Sequence, residues 1–269
     1  MQERNDIFMD NRPIGIFDSG LGGLTVLQEY VKQMPNEDYI YLGDNARVPY
    51  GSKSKETIIE YSKQIVKFLI SQNVKMIVIA CGTASANAFE ELKKEFDIPI
   101  QTVIEPTAKA IKDKKVGIIA TKATIASKAW ENAIHKYNPE CKTIAQACPL
   151  FVPIAEENLV SSEISKLAVK MYLSDFIDEK IENLILGCTH YPILFNDIKD
   201  FLPNEIKLTN VNIYSALESK KLLTDNNALN LSRKMPEIFA YTTDNAESFK
   251  ESAKTFCNIE FQKVEKIIL

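Results

Sequence analysis

Six short apolar runs alternate along this chain with longer segments whose apolar residues recur at helical spacing. The runs are Pro13 to Phe17 (PIGIF), Tyr39 to Gly43 (YIYLG), Lys75 to Ala80 (KMIVIA), Ile98 to Ile104 (IPIQTVI), Lys115 to Thr121 (KVGIIAT) and Glu182 to Gly187 (ENLILG). A short run that is apolar throughout, without polar alternation, fits a strand buried on both faces. Between the runs, residues such as Ile58, Tyr61, Ile65, Phe68 and Leu69 mark one face of a helix. Strand, helix, strand in succession gives a parallel sheet covered by helices on both sides, so the expected class is α/β, doubly wound.

A chain of 269 residues can bury two cores of ordinary size, and junctions are placed near Pro106 and Tyr214. The net charge is −4 and no dense basic stripe occurs, which argues against nucleic acid as a partner. No apolar run approaches the roughly 20 residues of a bilayer span, so no membrane is expected. Met1 to Pro13 carry acids and amides where a leader needs a basic start and an apolar core, and a cytoplasmic protein is expected. The cysteines Cys81, Cys141, Cys148, Cys188 and Cys257 form no CxxC pair and are odd in number, against a disulfide framework or a zinc site. With only His135 and His190 as imidazoles, no metal site is expected.

Ligands of a doubly wound sheet bind at the carboxyl ends of its strands. Four motifs fall there: Gly15 to Leu27 (GIFDSGLGGLTVL), Gly43 to Ser54 (GDNARVPYGSKS), Met76 to Ala86 (MIVIACGTASA) and Asn183 to Pro192 (NLILGCTHYP). The first has Asp18 and Ser19 after a strand, then Gly20, Gly22 and Gly23. Its spacing is neither the dinucleotide fingerprint nor a P-loop, and a glycine-rich turn capped by Asp18 or Ser19 is the competing reading. The second, alone, is a polar turn.

Cys81 and Cys188 share one context: a strand, a small residue, the thiol, and a threonine close behind. Free cysteine usually packs as a small hydrophobe, and Cys141, Cys148 and Cys257 keep that reading. The repetition reverses it for Cys81 and Cys188, whose thiolates a helix start would stabilise. His190, beside Cys188, is an acid/base candidate. Two thiols facing one cleft permit inversion of a carbon centre: one removes a proton from one face, and the other returns a proton to the opposite face. Thiol pKa values near ~8.5, lowered by the helix start and His190, would suit this exchange. Oriented donors must stabilise the carbanion in a dry cleft.

Taken in order, FDSGLGG, GDNARVPYG, ACGTASA and GCTHYP, with TVIEP and ATKATIAS between them, resemble the glutamate racemases, from about Ile14 to Phe261. The resemblance implies two pseudo-symmetric α/β lobes with the site between them. The first would hold residues 1–106 and, through a returning tail, 215–269; the second would hold 107–214. It implies a racemase that needs no cofactor, supplies D-glutamate for peptidoglycan synthesis, and forms a homodimer. Cys81 and Cys188 match the catalytic thiols, acting on the D- and L-enantiomer respectively, and Asp18 and His190 match the residues assisting them. Ser19, Pro49, Tyr50, Gly51, Thr83, Thr121, Thr124 and Thr189 match substrate-binding positions. Glu156 matches the acid that orients the histidine, with Glu157 its adjacent competitor. The pattern departs at Gly82, where the family has asparagine; losing that carboxamide would cost on the order of 1 to 3 kcal/mol if its partner is left unpaired. A second departure is IYSALE, Ile213 to Glu218. Racemisation of aspartate or another acidic amino acid, or binding without turnover, are the alternatives.

Overall fold

Two all-parallel sheets, ten strands in all among the described residues, organise the chain. This computed structural model describes residues 10–232 and 235–269. Most of the opening segment read for a leader therefore lies outside the described residues, as do Arg233 and Lys234. The strands are β1 (Ile14–Asp18), β2 (Tyr39–Gly43), β3 (Met76–Ile79), β4 (Ile100–Thr102), β5 (Lys115–Ala120), β6 (Lys142–Ala147), β7 (Asn183–Leu186), β8 (Lys207–Asn210), β9 (Ile238–Thr242) and β10 (Lys263–Lys266). The first sheet has the order β10-β9-β2-β1-β3-β4, and the second β6-β5-β7-β8. The four strands β1 to β4 and the four strands β5 to β8 are thus wound alike, second-first-third-fourth, giving the two pseudo-symmetric lobes expected.

Five of the six apolar runs became central strands because both of their faces meet helices, and β1, β2, β3 and β7 are buried at every position; the sixth gives β4, at the edge of the first sheet. Strands β6, β8 and β10, absent from the expected set, are edge strands of mixed polarity. One exposed side removes the demand for an unbroken apolar run, so they carried no signal. The run Ile98 to Ile104 is strand only over Ile100–Thr102, because Ile104 already opens the helix Ile104–Ala110.

One apolar cluster lies between the first sheet and the helix Lys55–Ser71, joining Phe17, Leu42 and Ile79 to Ile58, Ile65 and Leu69. A second lies under the other sheet around Phe151, Leu173, Phe176 and Leu186. The third crosses from lobe to lobe, running from Ile16, Tyr30 and Tyr41 through Val103, Ala108 and Ala216 to Val116, Trp130 and Ile185. The junction positions near 106 and 214 fall within the helices Ile104–Ala110 and Val211–Asp225, and both helices contribute to this shared core. The Tyr30 hydroxyl sits 2.9 Å from Ser215 Oγ and 2.7 Å from Ser219 Oγ, binding the long helix to the first lobe. None of the described helices is long and apolar enough to cross a membrane.

At the far end of the first sheet from the motifs, Lys75 and Glu37 form an ion pair at 2.6 Å with both side chains 1% exposed. Lys75 Nζ also donates to the carbonyls of Asp10 and Ala228, and Glu37 accepts from the Asn230 backbone N–H. These bonds tie the segment after the long helix to the start of the first lobe. Removing one member of a buried pair strands the other's charge, at about 3–5 kcal/mol. Lys75→Ala should therefore lower unfolding free energy by that amount in urea titrations, whereas a loss below about 1 kcal/mol, the level of a surface pair, would contradict the assignment.

Candidate active site

In each sheet the first strand has its second and third strands on opposite sides, and the crevice at such a switch point is where a doubly wound fold binds its ligand. Asp18 closes β1, and Cys81 follows the adjacent β3. In the second sheet Thr121 follows β5, and Cys188 lies just beyond the adjacent β7. The two thiols therefore occupy equivalent places in the two lobes. Both are buried, with 4% and 6% of their surface exposed.

Their corners differ. Cys81 is the N-cap of the helix Gly82–Asn87, and its sulfur accepts from the Ala84 N–H at 3.4 Å. Its S–H can donate to Ser19 Oγ, 3.6 Å away. Cys188 instead leads through His190 into a single 3-10 turn, Tyr191–Leu194, with Pro192 near its start; the expected strand-to-α-helix corner is not repeated. The expected lowering of the thiol pKa also fails at Cys81, which is pushed up to about 12. Burial is the main cause and the neighbouring Asp18 charge adds to it, together outweighing the Ala84 and Ser19 contacts. Asp18 is itself fully buried, and burial raises its pKa although His190 and the N–H groups of Gly20 and Gly23 pull the other way. Its carboxylate accepts from Gly20 N–H at 2.9 Å and from the Thr189 hydroxyl at 3.4 Å, so it reaches across to the second lobe.

His190 links most of the remaining chemistry. Its Nδ1 lies 3.9 Å from Cys188 Sγ and 3.5 Å from Thr189 Oγ1, and its Nε2 lies 3.1 Å from Glu156 Oε1. Burial disfavours the imidazolium, but Cys188, Glu156 and Asp18 outweigh it and raise the pKa to about 10. Both ring nitrogens then donate. Glu156, on the helix Phe151–Glu156, makes the contact, while the side chain of Glu157, at that helix's C-cap, is exposed.

Three hydroxyls meet between the lobes: Thr121 Oγ1 is 2.9 Å from both Thr83 Oγ1 and Thr124 Oγ1, and Thr124 is 3.5 Å from Thr83. Pro49, Tyr50 and Gly51 form the facing loop. The Tyr50 hydroxyl, however, donates to Asp44, which also pairs with Arg47 at 2.7 Å, so that hydroxyl is engaged away from the thiols. Thr25, inside the first motif but not singled out there, has a hydroxyl that donates to the Thr189 carbonyl at 3.0 Å, and Phe256, whose ring packs on His190, lies outside every motif.

Three glycines of the first lobe let the second approach closely. A side chain at Gly22 would strike His190 and Thr189, and a Cβ at Gly51 would lie 2.7 Å from Thr121 Cβ. At Gly82 a Cβ would lie 2.5 Å from the carbonyl oxygen of Gly187, the residue before the second thiol. The absent asparagine is therefore not an empty pocket: the facing backbone fills its place. Gly82→Asn should prop the lobes apart and expose both sulfurs. Alkylation of Cys81 and Cys188 by iodoacetamide, followed by mass spectrometry, should then be faster than in the wild type; equal rates would show that the contact does not seal the site.

The Asp/Glu/Hydantoin racemase family matches residues 14–211. A glutamate racemase of Hydrogenobaculum is 57% identical over 196 residues, covering 71% of this chain and 75% of the relative. That of Lactococcus lactis subsp. cremoris is 42% identical over 261 residues, 96% of each. Among solved structures, glutamate racemase of Francisella tularensis in complex with D-glutamate superposes with a TM-score of 0.91 at 43% identity, covering 97% of this chain and 98% of the other. The similarity thus extends through both switch points and the returning tail, and this chain belongs to the Asp/Glu/hydantoin racemase family, alongside its glutamate racemases.

Proposed function

We propose that this protein is an isomerase that interconverts L- and D-glutamate by proton transfer between two thiols, without a cofactor. The observation that carries the reading is the pair of buried thiols at equivalent switch points with unlike partners: Cys81 beside Asp18 and Ser19, Cys188 beside the His190 cation. Cys188, as thiolate, takes the α-proton of the L-enantiomer and becomes a thiol. The Cys81 thiol, held protonated by burial, gives its proton to the opposite face and becomes a thiolate. Two protons have then moved in the same sense, and exchange with solvent after product release restores the starting state. The reverse sequence converts D to L.

Asp18, Thr189 and the hydroxyls of Thr83, Thr121 and Thr124 line the junction where an amino acid's charged groups would sit, and Ser19 and the loop of Pro49, Tyr50 and Gly51 flank it. Gly82 contributes only its backbone. Glu156 orients His190, which donates toward Cys188. The relatives named for glutamate, and the neighbour holding D-glutamate, favour that substrate over aspartate. D-glutamate so formed would serve peptidoglycan synthesis. Comparing glutamate with aspartate by circular dichroism decides between them, and absence of α-carbon deuterium exchange with either would mark a binding protein instead.

Enantiomers have equal free energy in water, so kcat/KM must be the same in both directions for every variant, however unlike the two thiols are. Cys81→Ala and Cys188→Ala should each abolish interconversion from either side. Each should keep deuterium exchange with one enantiomer only, because a lone thiol removes a proton and returns a deuteron to the same face: L for Cys81→Ala, D for Cys188→Ala. Near-normal racemisation by either variant would sink the mechanism.

The His190 cation is present below a pH of about 10 and lost above it. Activity should therefore fall as the pH rises through that value. Because Glu156 helps hold the proton, Glu156→Gln should move the alkaline fall to lower pH. An unmoved limb in a kcat/KM profile would remove Glu156 from that role.

A further inference from the structure

The returning tail carries no motif, yet it underlies the site. Its helix Ala246–Phe256 packs on the first sheet, where Phe249 meets Tyr41 with ring centroids 6.1 Å apart and Phe261 at 6.3 Å. The Tyr41 hydroxyl in turn donates to the Gly20 carbonyl at 2.7 Å, bracing the turn that carries Asp18 and Ser19. At the end of the helix Phe256 is 6% exposed, and its ring meets the His190 imidazole of the other lobe edge to face, centroids 5.6 Å apart and planes at 88°. Around His190, Glu156 fixes Nε2, Cys188 and Thr189 face Nδ1, and Gly22 lies against the Cε1 and Nδ1 edge. An imidazole has one torsion that swings the ring and one that spins it. Hydrogen bonds at its two nitrogens leave the ring free to rock about the line joining them, and an apolar wall removes that freedom.

We propose that Phe256 is a positioning residue: it holds the His190 ring in line between Glu156 and Cys188 and keeps water from it, so that the C-terminal tail forms part of the catalytic machinery. The proposal rests on the racemase reading for its kinetic consequences but not for the contact itself. Displacement of a catalytic group by about 1 Å can lower a rate by roughly 100-fold, through kcat rather than through binding. The charged groups facing His190 are Cys188 on its own turn, Glu156 on the helix Phe151–Glu156, and Asp18 at the end of β1. Phe256 adds no charge, so its removal acts through geometry and water.

Phe256→Leu keeps apolar volume without a ring, and Phe256→Tyr keeps the ring. The expected result is that the Leu variant, folded by circular dichroism, loses about 10- to 100-fold in kcat with KM little changed, while the Tyr variant stays near the wild type. A second measurement does not depend on activity. The chain has two histidines, so the His190 Cε1–H resonance can be assigned after His135→Gln. In Phe256→Leu it should lose its ring-current displacement, and its titration midpoint should move from the wild-type value. A folded Leu variant with wild-type kcat and an unmoved resonance would overturn the proposal, as would equal losses in the Leu and Tyr variants. A wild type inactive on glutamate would count against the racemase reading instead, with the resonance still deciding the role of Phe256.

Discussion

Two parallel sheets can bring their strand ends into direct contact only where the facing backbone carries no side chain. Here that condition is met at Gly22, Gly51 and Gly82, each pressed against the second lobe at Thr189 and His190, at Thr121 and at Gly187. The electrostatics follow from this closure. Because water is excluded, the Cys81 thiol holds its proton, the Asp18 carboxyl is raised, and the second-lobe hydroxyls of Thr121, Thr124 and Thr189 must find partners in one another or in the first lobe. Dispersed in water, the same groups would interact at a fraction of the strength.

The two lobes are alike in winding and unlike in chemistry. Each places a cysteine after its third strand, beside the end of its first. In the first lobe the end of β1 brings a buried acid; in the second the end of β5 brings threonine hydroxyls, and the positive charge arrives with the cysteine's own turn. A thiol facing a carboxyl and a thiol facing an imidazolium are disposed to opposite halves of a proton relay. In the proposed reaction, the shared winding would place the two thiols opposite one another, and the unlike partners would give each thiol its own environment.

Much of this could be read from residues in order, for a physical reason. Central strands buried on both faces leave unbroken apolar runs, and a site at their ends leaves short polar motifs directly after them. Asp18, Cys81 and Cys188 were visible on that basis, whereas Thr121 came only from the family resemblance. Strands β6, β8 and β10 were not, because an edge strand mixes polar and apolar residues. The direction of the Cys81 shift was also hidden: the helix start is local and legible, but the burial that outweighs it comes from a distant lobe. Gly82 looked like a missing side chain until the Gly187 carbonyl was seen to occupy its place. Phe256 has no local signal at all, since its partner His190 lies 66 positions earlier in the chain.

The pairing of β9 with β2, residue Ile238 beside Tyr39, bears on the order in which the molecule can be completed. Synthesis delivers the strands of the first lobe, then the whole of the second, and only afterwards the two strands that finish the first sheet. Until then β2 is an unpaired edge, and the loop bearing Asp44, which bonds to Thr243, lacks its anchor. A growing chain can thus assemble its second lobe while the first still waits for its outer strands, a long-range closure of the kind that slows folding. Cys81 is made well before the second-lobe wall that encloses it, and both cysteines are made before Phe256, which closes on His190.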